Sequence, residues 1–192
     1  GRVKTLHPAV HGGILADLEN PQHIADLQTH GIAPIDIVVV NLYPFQQTVA
    51  KEGVTRQEAV ENIDIGGVTL IRAAAKNADR VTVICDPNDY EPVLEELRAN
   101  NGVLSFETRV RLAIKAFDLT SQYDGAIANY LDTPEGEKFS RHLRFFSGEY
   151  VGFRYAENPH MKGVLYPVET NDPLAFFRFE VIQGKAMSYN NW

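Results

Sequence analysis

Hydrophobic positions along the chain alternate between helical spacing and short continuous runs. In ENPQHIADLQTHG, Ile24, Ala25 and Leu27 fall at helical spacing between Asn20, a capping residue followed by Pro21, and Gly31, where a stop belongs, so a short helix is expected. IDIVVVNLY then presents an almost unbroken β-branched run, too short for a helix of this kind. It reads as a strand of a parallel sheet covered on both faces, ended by Pro44. TRQEAVEN and VTLIRAAAKN return to helical spacing, and RVTVICD is a second buried strand. Asp86 and Pro87 repeat the cap-plus-proline signal ahead of YEPVLEELRANNG, where Val93, Leu94 and Leu97 share a face. SFETRVRLAIKAFDLTSQYDGAIANYL places Phe106, Val110, Ala113, Ile114 and Phe117 at helical spacing and predicts a long helix bent near Gly125. Strands alternating with helices predict an α/β domain with a mainly parallel sheet flanked by helices.

Between about residues 132 and 150 the pattern dissolves into a charged stretch containing Pro and Gly, and a domain boundary is expected there, dividing the chain into 1–140 and 141–192. The second part is aromatic and β-leaning but too short for an ordinary independent core, so it reads as the start of a second α/β domain. The first residue, Gly1, and the polar ending SYNNW give the chain the character of an internal fragment.

Composition narrows the function classes. The 192 residues carry 18 basic against 25 acidic side chains, a net charge of −7, which argues against a backbone-driven nucleic-acid or membrane-surface binder. A small anionic ligand held by a few local cations remains compatible. Cys85 is the only cysteine and sits in an apolar run, so no disulfide framework or thiolate metal cluster is expected, and a reducing, cytoplasmic location is.

Four stretches carry candidate chemistry. NLYPF ends the first strand where α/β sheets gather ligands, placing Asn41 and Tyr43 at a crevice; a strand ending in a proline turn with Tyr43 half-buried explains the same residues. In DIGGVTLIRAAAKN, Gly66 and Gly67 at a helix start would let a ligand approach free backbone N–H groups, while a tight turn accounts for them equally. Lys76 near the far end is equally a solvated charge complementing the helix dipole. An unbroken helix would also set Asp64 and Lys76 about 18 Å apart. RVKTLHPAVH groups Arg2, Lys4 and Thr5 as a clamp for a phosphate or polar base, or forms a surface loop; His7 and His11 lack the glutamate of a zinc motif. RYAENPH brings Arg154, Asn158 and His160 into a proline-containing loop.

Taken in order, GRVKTLHPAVHGGIL, NLYPF, NIDIGGVTLIRAAAKN, RYAENPH and QGKAMSYNN resemble the bifunctional purine biosynthesis family that joins an IMP cyclohydrolase to an AICAR formyltransferase. The five blocks span essentially the whole chain. The resemblance implies a methylglyoxal-synthase-like α/β fold for 1–140, lacking its first strand and a phosphate-binding loop. That domain would close the second purine ring, converting formyl-AICAR to IMP with loss of water and needing no metal or redox cofactor. It also implies that 141–192 opens a formyltransferase domain, whose co-substrate is formyl-tetrahydrofolate and whose Lys-His pair lies beyond the chain, and that the parent is a homodimer acting on formyl-AICAR, IMP and AICAR. By the match, Arg2, Val3, Lys4, Thr5, Asn41, Tyr43, Asp64, Ile65, Gly66 and Gly67 line the nucleotide site. Lys76 would donate or accept a proton, and Lys4, Tyr43 and Asp64 would polarise the reacting groups. Arg154, Tyr155 and Asn191 match substrate-contacting positions of the second domain, where Ala156 and Met161 depart from the family wording. Two further readings of the same fold are a non-catalytic phosphate-sensing module and a dimerisation unit.

Overall fold

A computed structural model describes residues 5–132, 151–153, 158, 160–166 and 182–184. By its internal contacts the chain divides into two units, Gly1–Arg141 and His142–Trp192. In the first, helices α1 (Pro8–Leu15) and α2 (Pro21–Thr29) precede strand β1 (Ile37–Val39). Helices α3 (Phe45–Val49), α4 (Arg56–Glu61) and α5 (Gly66–Lys76) lead to strand β2 (Thr82–Ile84), and a 3-10 turn (Pro87–Asp89), α6 (Tyr90–Ala99) and α7 (Phe106–Asp132) follow among the described residues. The described part of the second unit holds an antiparallel pair, β3 (Val151–Gly152) with β4 (Val164–Leu165).

Local sequence explains most element ends. Asn20 Oδ1 accepts the Gln22 N–H at 3.0 Å with Pro21 at the first helical position, and α2 stops before Gly31, whose φ of +61° suits glycine. Thr55 and Glu58 form a reciprocal capping box that starts α4. Asp86 Oδ1 accepts the Asn88 N–H at 2.9 Å. α7 runs unbroken through the buried Gly125. RVKTLHPAVH, for which a surface loop is one expectation, is helical from Pro8 onward: His7 Nδ1 accepts the Ala9 N–H at 3.1 Å and Pro8 occupies the first turn.

β1 and β2 pair in parallel, Ile37 with Thr82, Val38 with Val83 and Val39 with Ile84. Alternation puts Val38, Val81 and Val83 on the face that packs against Ile71 and Ala74 of α5 and Ala113 and Ala116 of α7. On the other face Ile84 meets Val93, Leu104 and Leu112. The expectation that both strands are covered on both faces holds for β2 alone. Ile37 and Val39 stay 42% and 54% exposed, because among the described residues the second cluster reaches β2 and stops short of β1. A third cluster, Phe45, Ala59 and Tyr123 with Leu42, Val49, Ile63 and Val68, lies beneath α3 and α4.

The end of α1 is clasped by α5 and the turn that follows it. Arg80 donates from Nη2 to the Gly13 and Ile14 carbonyls at 2.7 and 3.1 Å, from Nε to the Ala16 carbonyl at 3.2 Å, and from Nη1 to Asp36 at 2.7 Å. Asn77 Nδ2 donates to the Ile14 and Ala16 carbonyls at 2.7 and 3.2 Å. These donors satisfy carbonyl groups that a helix end leaves open.

Candidate active site

The candidate residues converge where β1 runs out. A helix start exposes N–H groups and the positive end of its dipole, and at α5 that end is already occupied by the chain's own carboxylate. Asp64 Oδ1 accepts the Gly67 N–H at 2.7 Å, and Oδ2 accepts the Tyr43 N–H at 3.3 Å. One carboxylate therefore joins the NLYPF turn to the first turn of α5.

The two glycines serve this arrangement. A Cβ on Gly67 would stand 2.7 Å from Asp64 Oδ2, and one on Gly66 would stand 2.8 Å from the Thr5 hydroxyl. Space that the sequence suggested for a ligand is filled by Asp64 and Thr5, and the Gly67 amide expected to be free is engaged. The physical reason is that a carboxylate three residues before the amide already supplies the negative charge the helix end favours.

Around this centre Tyr43 is 55% exposed and Ile65 is also exposed. Asn41 is exposed too, its amide Nδ2 donating to the Tyr90 hydroxyl at 2.8 Å at the start of α6. Thr5, Asn41, Tyr43, Asp64, Ile65, Gly66 and Gly67 are thus assembled from three segments. Arg2, Val3, Lys4, Arg154, Tyr155 and Asn191 lie outside the described residues. Lys76 does not join the group. α5 is continuous from Gly66 to Lys76, which places the lysine about 15 Å away at the opposite end of the helix, exposed to solvent.

Two neighbouring groups escaped the sequence reading. Tyr123 of α7 is buried and its hydroxyl accepts the Asp64 N–H at 2.8 Å. Burial, foremost, raises its pKa above the ordinary tyrosine value. Beyond β2, Lys115 Nζ lies 2.6 Å from both Asp86 Oδ2 and Asp89 Oδ2, with Arg111 3.1 Å from the buried Asp89. This network fixes the turn that presents Tyr90 to Asn41. Burial lowers the Lys115 pKa, but the two carboxylates outweigh it and hold it above the usual lysine value. The Asp86 carboxyl is held below the usual range, first by the Lys115 hydrogen bond. A buried tyrosine or aspartate needs a partner, which is the one signal sequence offers; the partner's identity is set by tertiary packing.

Comparison with known proteins adds what geometry alone does not. The family pattern described as AICARFT/IMPCHase bienzyme matches residues 74–192, and that of the MGS-like domain matches residues 1–69. The bifunctional purine biosynthesis protein PurH of Chlorobium phaeobacteroides is 51% identical over 193 aligned positions, covering 100% of this chain and 37% of that protein. The crystal structure of ForH shares 37% identity at a TM-score of 0.60, covering 67% of this chain and 65% of that one. The chain thus spans about a third of the length of the curated relative. With one family pattern covering residues 74–192, and the α/β fold of an MGS-like domain before it, the chain belongs to the AICARFT/IMPCHase bienzyme family.

Proposed function

We propose that the first unit is the cyclohydrolase part of a protein catalysing the last two steps of purine biosynthesis, closing formyl-AICAR to IMP. The carboxamide nitrogen attacks the formyl carbon and a C–N bond forms; the carboxamide and formylamino nitrogens each give up one proton, the C–O bond breaks as a C=N bond to the formylamino nitrogen forms, and the former formyl oxygen departs as water. Holding both groups of one molecule in attack geometry contributes up to roughly 7 to 11 kcal/mol.

The observation that carries this reading is the Asp64 carboxylate, pinned by two backbone N–H groups beyond the end of β1. A fixed acceptor suits N–H groups such as the carboxamide and formylamino nitrogens. It repels a phosphate, which the proposal assigns to the cationic segment of Arg2, Val3, Lys4 and Thr5. Tyr43 and Asn41 orient the base, and Lys4 polarises the formyl oxygen. The backbone at Ile65, Gly66 and Gly67 forms the floor. For Lys76 the family wording is the sole support for a proton role.

In the longer protein, formyl-tetrahydrofolate supplies the formyl group to AICAR, with Arg154, Tyr155 and Asn191 at that second site. A cytoplasmic homodimer without nucleic-acid partners completes the proposal. No helix among the described residues is long and apolar enough to cross a membrane.

The test is the rate of IMP formation from formyl-AICAR, followed by ultraviolet absorbance, in the full-length parent. Asp64→Asn should slow it by about 100-fold or more; a rate within about twofold of wild type overturns the role of Asp64. Lys76→Ala, run beside it, decides the lysine separately.

A further inference from the structure

Tyr123 lies beneath the candidate site and reaches both of its walls. Its hydroxyl accepts the Asp64 N–H at 2.8 Å and donates to the Asn62 carbonyl at 3.3 Å, which fixes the turn that delivers Asp64 to α5. Its ring stands edge-on to Phe45, with centroids 6.2 Å apart. Phe45 is fully buried, and its N–H donates to the Tyr43 carbonyl at 2.8 Å. The Asp64 carboxylate then closes the circuit to the Tyr43 and Gly67 amides. Asp64 itself comes from an irregular stretch between α4 and α5, so nothing in regular secondary structure holds its backbone in place.

We propose that Tyr123 is a positioning residue for ring closure, its hydroxyl fixing the Asp64 backbone so that the carboxylate stays on the Tyr43 and Gly67 amides. This rests on the cyclohydrolase reading above. A carboxylate that must meet a nitrogen only in the transition state is sensitive to small displacements, and removing its backbone anchor should slow the chemical step while leaving substrate binding alone. A tyrosine present merely to fill the core predicts something different, because phenylalanine fills the same volume.

The experiment is a double-mutant cycle in the full-length parent: wild type, Tyr123→Phe, Asp64→Asn and the double variant, assayed for IMP formation well below the lowest melting midpoint. Tyr123→Phe should lower kcat about five- to tenfold with KM within about twofold, and should change kcat less than about twofold once Asp64 is Asn. Equal losses in both backgrounds, or an unchanged kcat in Tyr123→Phe alone, overturn the proposal. A wild-type parent that forms no IMP would instead refute the cyclohydrolase reading. Amide exchange then decides the positioning: faster exchange of the Asp64 N–H in Tyr123→Phe supports it, and unchanged exchange overturns it.

Discussion

Replacing Arg80 with alanine tests how the site's first helix is held. The guanidinium, 17% exposed, binds three carbonyls at the end of α1 and Asp36. Asp36 is 74% exposed, so that ion pair contributes about 0–1 kcal/mol. The three carbonyls are not orphaned by the change. Gly13 still accepts the Ile35 N–H at 3.0 Å, while Ile14 and Ala16 keep Asn77. The loss is therefore that of hydrogen bonds from one charged donor rather than of buried acceptors, about 2–3 kcal/mol in total. Asn77→Ala alone should cost about 1 kcal/mol. The double variant leaves the Ile14 and Ala16 carbonyls without either donor, and each unsatisfied acceptor adds about 1–3 kcal/mol, so the double loss should exceed the sum of the single losses. Urea unfolding followed by circular dichroism gives all four values. An Arg80→Ala loss below about 1 kcal/mol, or additivity within about 0.5 kcal/mol, refutes the shared-acceptor account.

Gly67→Ala sets helix propensity, which favours alanine by about 1 kcal/mol, against a Cβ placed on the Asp64 carboxylate. The melting temperature should move little and IMP formation in the parent should fall; retained activity would show that Asp64 tolerates displacement. The Asp86 carboxyl, held down foremost by Lys115, makes its contribution above its unfolded pKa of about 4 and loses it as pH falls through the lower folded value. Lys115→Met should therefore flatten the acid side of the stability profile, and an unchanged slope would contradict the assignment. Cys85 is buried, and burial foremost raises its thiol pKa, so alkylation at neutral pH should be slow in the native chain and rapid in urea. Equal labelling rates would refute this.

What could be read from sequence was what is local. Asn20 with Pro21, and Asp86 with its following proline, act on residues two positions away, so their helix starts were evident before any packing was known. α1 was missed because Gly12 and Gly13 lower helix propensity. Gly13 is needed where a Cβ would overlap the Ala33 carbonyl oxygen, a contact no local pattern reveals. The same limit explains β1: nine apolar-rich residues promised a strand buried on both faces, yet α6 covers only its neighbour. The family wording grouped Asp64, Tyr43 and Asn41 in one site, but not Tyr123, which depends on what α7 brings beneath the turn; the engaged Gly67 amide, by contrast, is held by a carboxylate only three residues earlier, a local signal the glycine pair obscured.

The hydrogen bonds that build the site join residues far apart in sequence: Asn41 to Tyr90 over 49 positions, Tyr43 to Asp64 over 21, and Asp64 to Tyr123 over 59. Long loops must close before such pairings return any stabilisation, so they form late in folding. During synthesis, both partners of the Asp64–Gly67 contact are present once α5 has been made, yet the turn beneath them stays unanchored until α7 has followed. The proposed chemistry thus waits on a helix that supplies none of the proposed reacting groups, and a chain stalled before residue 123 would carry every residue proposed to face the nucleotide in this cluster without the anchor beneath Asp64.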